Sequence, residues 1–198
     1  MKLVLASDNA HKLTEFRELF AGLDVELVAK KDTGFTDEVD ETGATFEENA
    51  FIKAEAVMRA TGLAAIADDS GLCVDALDGA PGVNSARYTG DHADSDRDRY
   101  TLLLRNLEGA PDRAARFVSA LCCVFPNGDV LRARGTCEGE ILTSPRGENG
   151  FGYDPVFRPA GFSCSMAELT MEQKNAVSHR GRALRQFKTE WERYHADK

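Results

Sequence analysis

Two hydrophobic rhythms alternate along this chain. Leu3–Ala6 is a short apolar run, followed at once by Ser7, Asp8 and Asn9, all residue types that cap helices. Beyond them Leu13, Phe16, Leu19 and Phe20 recur on one helical face, and Gly22 supplies a stop. The pattern predicts a strand, a polar turn and a helix. Residues 25–29, "VELVA", read as the next strand, and 30–43 as a charged connection. Residues 45–62 open with Thr45 and Glu48 at capping-box spacing and close on Gly62. Phe46, Ala50, Val57 and Met58 mark the apolar side of that helix, which runs for about four turns.

The apolar run 64–68 predicts a third strand that carries Asp68 and Asp69 at its C-terminal end. Glycine and proline make 77–90 a loop, and Leu102, Leu103, Leu104 and Leu107 support a helix over 95–107. Asn127-Gly128 lies between "ARFVSALCCVF" and "DVLRARGTCEGEI", the strongest short-range signal for a hairpin. Residues 144–161 form a loop that enters a strand at "PVF". A "MAEL" turn follows, then a second capping box (Thr170, Gln173) and a helix to about Tyr194. The order β-α-β-α-β, then a helix, then a long hairpin, indicates an α/β fold with a mixed sheet. Ligands in such folds gather beyond the carboxyl ends of strands, which places Ser7–Lys12 and Asp68–Ser70 on one rim.

Composition narrows the classes. The chain has 198 residues, enough for one domain with room for two lobes. Hydrophobic residues at 42% and charged residues at 29% are a globular mixture rather than a disordered one. A net charge of −9 argues against nucleic acid or an anionic membrane as the partner, although a local basic pocket can still hold a phosphate ligand. The cysteines (Cys73, Cys122, Cys123, Cys137, Cys164) are odd in number and include no C-x-x-C. Neither a disulfide framework nor a zinc site is indicated, and a reducing compartment fits. The N-terminus turns polar too early for a signal peptide, and no run suits a membrane span. A soluble cytoplasmic protein is expected.

Four clusters carry candidate chemistry. Asp68 and Asp69 are adjacent like charges that need water, a metal ion or a cation to coexist. "SDNAHK" places Ser7, Asn9 and Lys12 at a helix N-terminus, which suits either an anion or a plain cap. Glu41 ends an acidic stretch and is free to aim at a metal; with Asp68 and Asp69 it makes the hard-oxygen set that Mg²⁺ prefers. Glu48 reads as a capping residue, and Lys53 as either a surface lysine or one reaching a triphosphate. In "NGFGYDP", Phe151 and Tyr153 are ring platforms or turn anchors, and Asp154 is an acceptor. Lys174, Ser178, His179 and Arg180 sit on about two helical turns that Gly181 interrupts, either as polar surface or as donors to a carbonyl.

Together these segments resemble the nonstandard purine nucleoside triphosphate pyrophosphatases of the inosine triphosphatase type. The motifs are "SDNAHK", "ETGATFEENAFIKA", "ADDSGLCVDAL", "GAPGVNSARY", "GFGYDPVF" and "ELTMEQKNAVSHRGRAL", in order over Leu3 to about Leu184. His11, where a small residue is common, and the short 30–40 connection are the departures. The resemblance implies one domain of that type over 1–198, with an elongated α/β fold, a mixed central sheet flanked by helices, and an active-site cleft between two lobes. It also implies Mg²⁺-dependent hydrolysis of ITP, dITP and XTP to the monophosphate and pyrophosphate, by a homodimer. On this reading Asp69 activates water, Glu41 and Asp69 hold the metal, and Asp68 supports them. Ser7, Asn9, Lys12, Lys53 and Ser70 hold the phosphates, and Asp8, Ala10 and His11 are substrate-binding in the same segment. Phe151 stacks on the base, within the segment Phe151, Gly152, Tyr153 and Asp154; Asp154, Lys174, His179 and Arg180 read the base edge.

Selecting the base takes two decisions. A donor to a 6-oxo group mismatches adenine's amine by roughly 1–3 kcal/mol, but it does not reject guanine. The "FGYD" loop is expected to exclude the 2-amino group. Three rivals are a Maf-type pyrophosphatase, a silent nucleotide-binding protein and a phosphatase releasing orthophosphate. "GFGYD" and "SHRG" speak against the first, the intact metal and base positions against the second, and the lack of a D-x-D at the strand end against the third.

Overall fold

A six-stranded mixed sheet in the order β2-β1-β3-β4-β5-β6 organises the chain. In the computed structural model the described residues are 1–22, 24–90 and 94–196, and the side chains of His11 and Leu19 lie outside the described set. The strands are β1 (Lys2–Leu5), β2 (Glu26–Ala29), β3 (Ala64–Val74), β4 (Ala114–Val124), β5 (Val130–Ile141) and β6 (Phe157–Pro159). The helices are α1 (Ala10–Leu19), α2 (Phe46–Thr61), α3 (Asp96–Asn106), α4 (Met171–Val177) and α5 (His179–Ala196). β1 pairs parallel with β2 and β3, and β6 pairs antiparallel with β5. The expected mixed α/β sheet with flanking helices is what the chain forms.

Local signals act as expected at several ends. Thr45 and Glu48 make both bonds of the capping box that starts α2, and left-handed Gly62 ends it. Thr170 and Gln173 do the same for α4. β4 and β5 are joined through Asn127-Gly128, with Gly128 at φ +89° and its N–H donating to Phe125 O at 2.9 Å.

Two expectations are corrected. β3 does not end at the aspartates but continues through Asp69 to Val74. Both carboxylates find cationic or polar partners, so the strand has no reason to stop for water. The C-terminal helix is broken at Ser178, whose backbone is extended (φ −65°, ψ 156°), rather than at Gly181, which lies in the first turn of α5. A Cβ at Gly181 would run into the Asn175 carbonyl, so its smallness lets the chain turn tightly at the break.

The chain divides into two compact units. Unit one holds residues 1–69, 119–135 and 182–198, and unit two holds 70–118 and 136–181. In unit one, alternate residues Leu3 and Leu5 of β1, Ala64 and Ile66 of β3, and Leu121 and Cys123 of β4 share a core with Phe16, Phe20, Leu184, Phe187 and Trp191. The period of two sends these side chains to one sheet face, under α1 and α5. The intervening Val4, Ala65 and Ala67 are also fully buried, as are Ala50 and Ala54 of α2. Unit two has its own core, with Leu72, Val74, Leu103, Phe117, Ile141, Tyr153, Phe157 and Met166.

Among the described residues, no helix is long and apolar enough to cross a membrane. Cys122, Cys123 and Cys137 are buried, and Cys73 and Cys164 partly exposed, all as free thiols. Burial pushes the Cys122 thiol up to about 11 and Cys123 higher still.

Two outcomes follow. Cys73 and Cys164 should react with Ellman's reagent in the native protein, whereas Cys122, Cys123 and Cys137 should react only after denaturation; a native count above two contradicts this packing. Phe187 is fully buried between Phe20 and Trp191, with ring centroids 5.8 Å from each. Phe187→Ala should cost about 3–5 kcal/mol in urea denaturation.

Candidate active site

Asp68 and Asp69 are neighbours on β3, so the pleat sends their side chains to opposite faces. On the α1 face, Asp68 is 2% exposed, with one carboxylate oxygen on Lys12 Nζ at 3.0 Å and the other accepting the Ser119 hydroxyl at 2.6 Å. On the α2 face, Asp69 Oδ1 pairs with Lys53 Nζ at 2.8 Å, and its Oδ2 accepts from Asn49 Nδ2 at 3.3 Å. Lys53 Nζ also reaches Glu41 Oε1 at 2.8 Å, so one ammonium joins both proposed metal carboxylates. Each charge is thereby compensated on its own side of the sheet.

The lysines meet at the strand edge. Lys12 Nζ and Lys53 Nζ both donate to the Asp68 backbone carbonyl, each at 3.2 Å. β1 pairs with β3 only as far as Leu5 opposite Ile66, after which Ala6 N–H still bonds Ile66 O. Where β1 turns away, two ammonium groups take its place along β3. The N-terminal turn of α1 is ordered by its own motif. Asn9 Oδ1 accepts from Lys12 N–H at 3.1 Å, and Ser7 Oγ accepts from Asn9 N–H at 3.2 Å. Asp8 pairs with buried Lys30 at 2.7 Å, and Ala10 is the first residue of α1.

Burial raises the Asp69 pKa above the ordinary carboxylate value, with Glu41 adding to it and Lys53 drawing it back. Burial opposes the Lys53 charge, but Asp69 and Glu41 outweigh it, and the Lys53 pKa is raised. A carboxylate whose pKa is raised by burial is a better proton acceptor than a solvated one.

Unit two gathers the remaining predicted residues. Phe151, half-buried, has Lys174 Nζ 4.6 Å and Arg180 Cζ 5.7 Å from its ring centroid. Asp154 is buried; its Oδ2 accepts from Lys174 Nζ at 2.8 Å and from Phe151 N–H at 3.0 Å. Gly152 N–H donates to Asp96 Oδ2 at 2.7 Å, pinning the loop from its other side. Gly150 is required here, because it adopts φ +77° and a Cβ would strike the Asp154 carboxylate. The His179 ring stacks on Phe117 (centroids 4.8 Å, interplanar angle 13°), and Arg180 Nη2 donates to Ser70 Oγ at 3.4 Å. Lys174, His179 and Arg180 are at most 6% exposed, so this is no polar surface stretch. Tyr153 is a core anchor whose hydroxyl donates to Ser85 O at 2.8 Å.

Among the described residues, no group of three or more His, Cys, Asp and Glu is arranged to hold a metal ion. Glu41 and Asp69 nevertheless converge on a single cationic point, the Lys53 ammonium. Asn49, Ser119 and Lys30 escaped the sequence reading. Asn49 had a usable signal: it sits at an inward position of α2, one turn before Lys53.

The comparisons with known proteins agree over nearly the full length. A dITP/XTP pyrophosphatase of Lactiplantibacillus plantarum is 49% identical over 98% of this chain and 96% of its own. One from Exiguobacterium is 50% identical, covering 96% of each. A solved HAM1 protein from Coxiella burnetii superposes with a TM-score of 0.90 at 43% identity, covering 98% of this chain and 99% of its own. The resemblance drawn from the six motifs is thus borne out. With the family's sequence pattern matching residues 3–190, this chain belongs to the Ham1 family.

Proposed function

We propose that the chain hydrolyses dITP, XTP and ITP to the nucleoside monophosphate and pyrophosphate, removing nonstandard purines from the nucleotide pool. The observation that carries this reading is the convergence of Lys12, Lys53, Glu41 and Asp69 along the edge of β3. The names of the relatives support the same chemistry. Mg²⁺ as cofactor, the cytoplasm as location and a homodimer as assembly belong to this reading through the family resemblance.

The residues divide the work. Lys12, Lys53, Ser7, Asn9 and Ser70 hold phosphate oxygens, where point charges and hydroxyl donors offset the negative charge of the triphosphate. Asp69 accepts a proton from water as its oxygen attacks the α-phosphorus. The bond from that phosphorus to the bridging oxygen breaks, and pyrophosphate leaves. Glu41 and Asp69 fit Mg²⁺ because two hard oxygens already lie 2.8 Å from one cation, and phosphates supply further oxygens. An ion held by these two carboxylates would neutralise charge that develops on the phosphate. Phe151 stacks on the purine, and Lys174, His179 and Arg180 face its oxo edge. Asp154 contributes through the loop it ties to Lys174, which sets the shape that excludes a 2-amino group.

The first test is a product assay with Mg²⁺ across dITP, XTP, ITP, GTP, ATP and dTTP. Pyrophosphate from the first three, little from the rest, supports the reading; orthophosphate, or equal use of all, would overturn it. Asp69→Asn should lower kcat by about 10²–10⁴-fold. Ser119→Ala removes the hydroxyl donor to buried Asp68 and should cost about 1–3 kcal/mol of stability in urea denaturation. An unchanged midpoint would deny that this bond supports Asp68.

A further inference from the structure

The carboxylates of the site come from two unconnected pieces of chain. Asp69 is on β3, a rigid strand, whereas Glu41 precedes α2 in a segment without regular structure. Lys53 bridges the two by charge, and a second link, made of neutral donors and acceptors, runs through Asn49. It is fully buried and lies on α2 one turn before Lys53, on the same helical face. Its Nδ2 donates to Asp69 Oδ2 at 3.3 Å, and its Oδ1 accepts from the Gly43 N–H at 2.8 Å.

The two partners leave no freedom in the side chain. A backbone N–H meets only an acceptor, and an ionised carboxylate meets only a donor, so the orientation of the amide is dictated from both ends. An ionised aspartate cannot donate, and leucine of similar volume can do neither. Gly43 is two residues after Glu41, and its backbone is pressed on the first turn of α2. An added Cβ there would lie 2.6 Å from Glu48 Cβ and 2.7 Å from Asn49 Oδ1. The loop carrying Glu41 is therefore seated on the same amide that holds Asp69.

Resting on the proposed function, we propose that Asn49 is a positioning residue that sets the spacing between Glu41 and Asp69. It holds Asp69 by Oδ2, leaving Oδ1 toward Lys53 and Glu41, and it anchors the Glu41 loop through Gly43. Of the two phosphate lysines, Lys12 is held by Asp68 on the other sheet face, and only Lys53 bonds Asp69. Loss of the amide should therefore appear mainly in kcat and in metal affinity, with a change of KM limited to the share that Lys53 carries.

The test uses the full chain with Asn49→Ala, Asn49→Asp and Gly43→Ala. It measures kcat and KM for dITP with Mg²⁺, Mn²⁺ affinity by electron paramagnetic resonance without nucleotide, and thermal unfolding. Asn49→Ala should lower kcat about 10²-fold, as a displacement near 1 Å does. Its KM should stay within about threefold, and Mn²⁺ affinity should fall about 10-fold, at the level expected for an outer partner of a metal ligand. Asn49→Asp keeps size and the acceptor for Gly43 but sets a second carboxyl against Asp69, so it should not restore kcat. Gly43→Ala should weaken Mn²⁺ binding with Asn49 intact. If Asn49→Ala only lowers the unfolding temperature, with kcat and Mn²⁺ affinity within twofold of the parent, the positioning role is refuted. Wild-type kcat in Asn49→Asp, or unaltered Mn²⁺ affinity in Gly43→Ala, refutes it too. Parent protein releasing no pyrophosphate from dITP or XTP would instead defeat the proposed function, and the Mn²⁺ measurements would still decide the role of Asn49.

Discussion

Successive side chains of a β-strand point to opposite faces, and the candidate site depends on that constraint at Asp68 and Asp69. Two carboxylates adjacent in sequence and both buried would repel if they shared one side of the sheet. On β3 they are separated by the sheet itself, Asp68 toward α1 with Lys12 and Ser119, Asp69 toward α2 with Lys53 and Asn49. Each buried anion meets a cation and a neutral hydrogen-bond donor, the condition under which burial of charge is tolerated. The strand can then run on to Val74 and deliver Leu72 and Val74 to the core of unit two.

The same arrangement places positive charge where the sheet has a gap. β1 leaves β3 after Leu5, and the Asp68 carbonyl there is met by two ammonium groups instead of a neighbouring strand. Phosphate chemistry needs such a concentration of point charge beside a proton acceptor. Unit two has a different character. Its predicted residues are an aromatic ring near Lys174 and Arg180, with the loop around it fixed by Asp154 and Asp96. A stacked ring with polar donors around it suits recognition of a flat, heteroatom-edged base.

Much of this was legible in the sequence because the signals were local. The capping boxes at Thr45 and Thr170 and the Asn-Gly hairpin act within a few residues, where side-chain geometry alone decides the outcome. The extent of β3 was misjudged because the partners that neutralise its aspartates come from residues 12, 49, 53 and 119, remote along the chain. The break at Ser178 was misplaced onto Gly181 for a related reason. Glycine is read as a helix breaker, whereas here its missing Cβ makes room for the Asn175 carbonyl. Ser119 sits within an apolar alternation and gives no outward sign of bonding a carboxylate.

The claim that Asp68 and Asp69 each pair directly with a different cation, Lys12 and Lys53, is measurable directly by double-mutant cycles on stability. The substitutions are Lys12→Met, Lys53→Met, Asp68→Asn and Asp69→Asn, followed by urea denaturation. The account predicts couplings of about 0.5–3 kcal/mol for Lys12 with Asp68 and for Lys53 with Asp69, and a smaller one for the crossed pair Lys12 with Asp69. A crossed coupling as large as the direct ones would mean that the two carboxylates share one charge environment, and the division of the site by the sheet would be wrong.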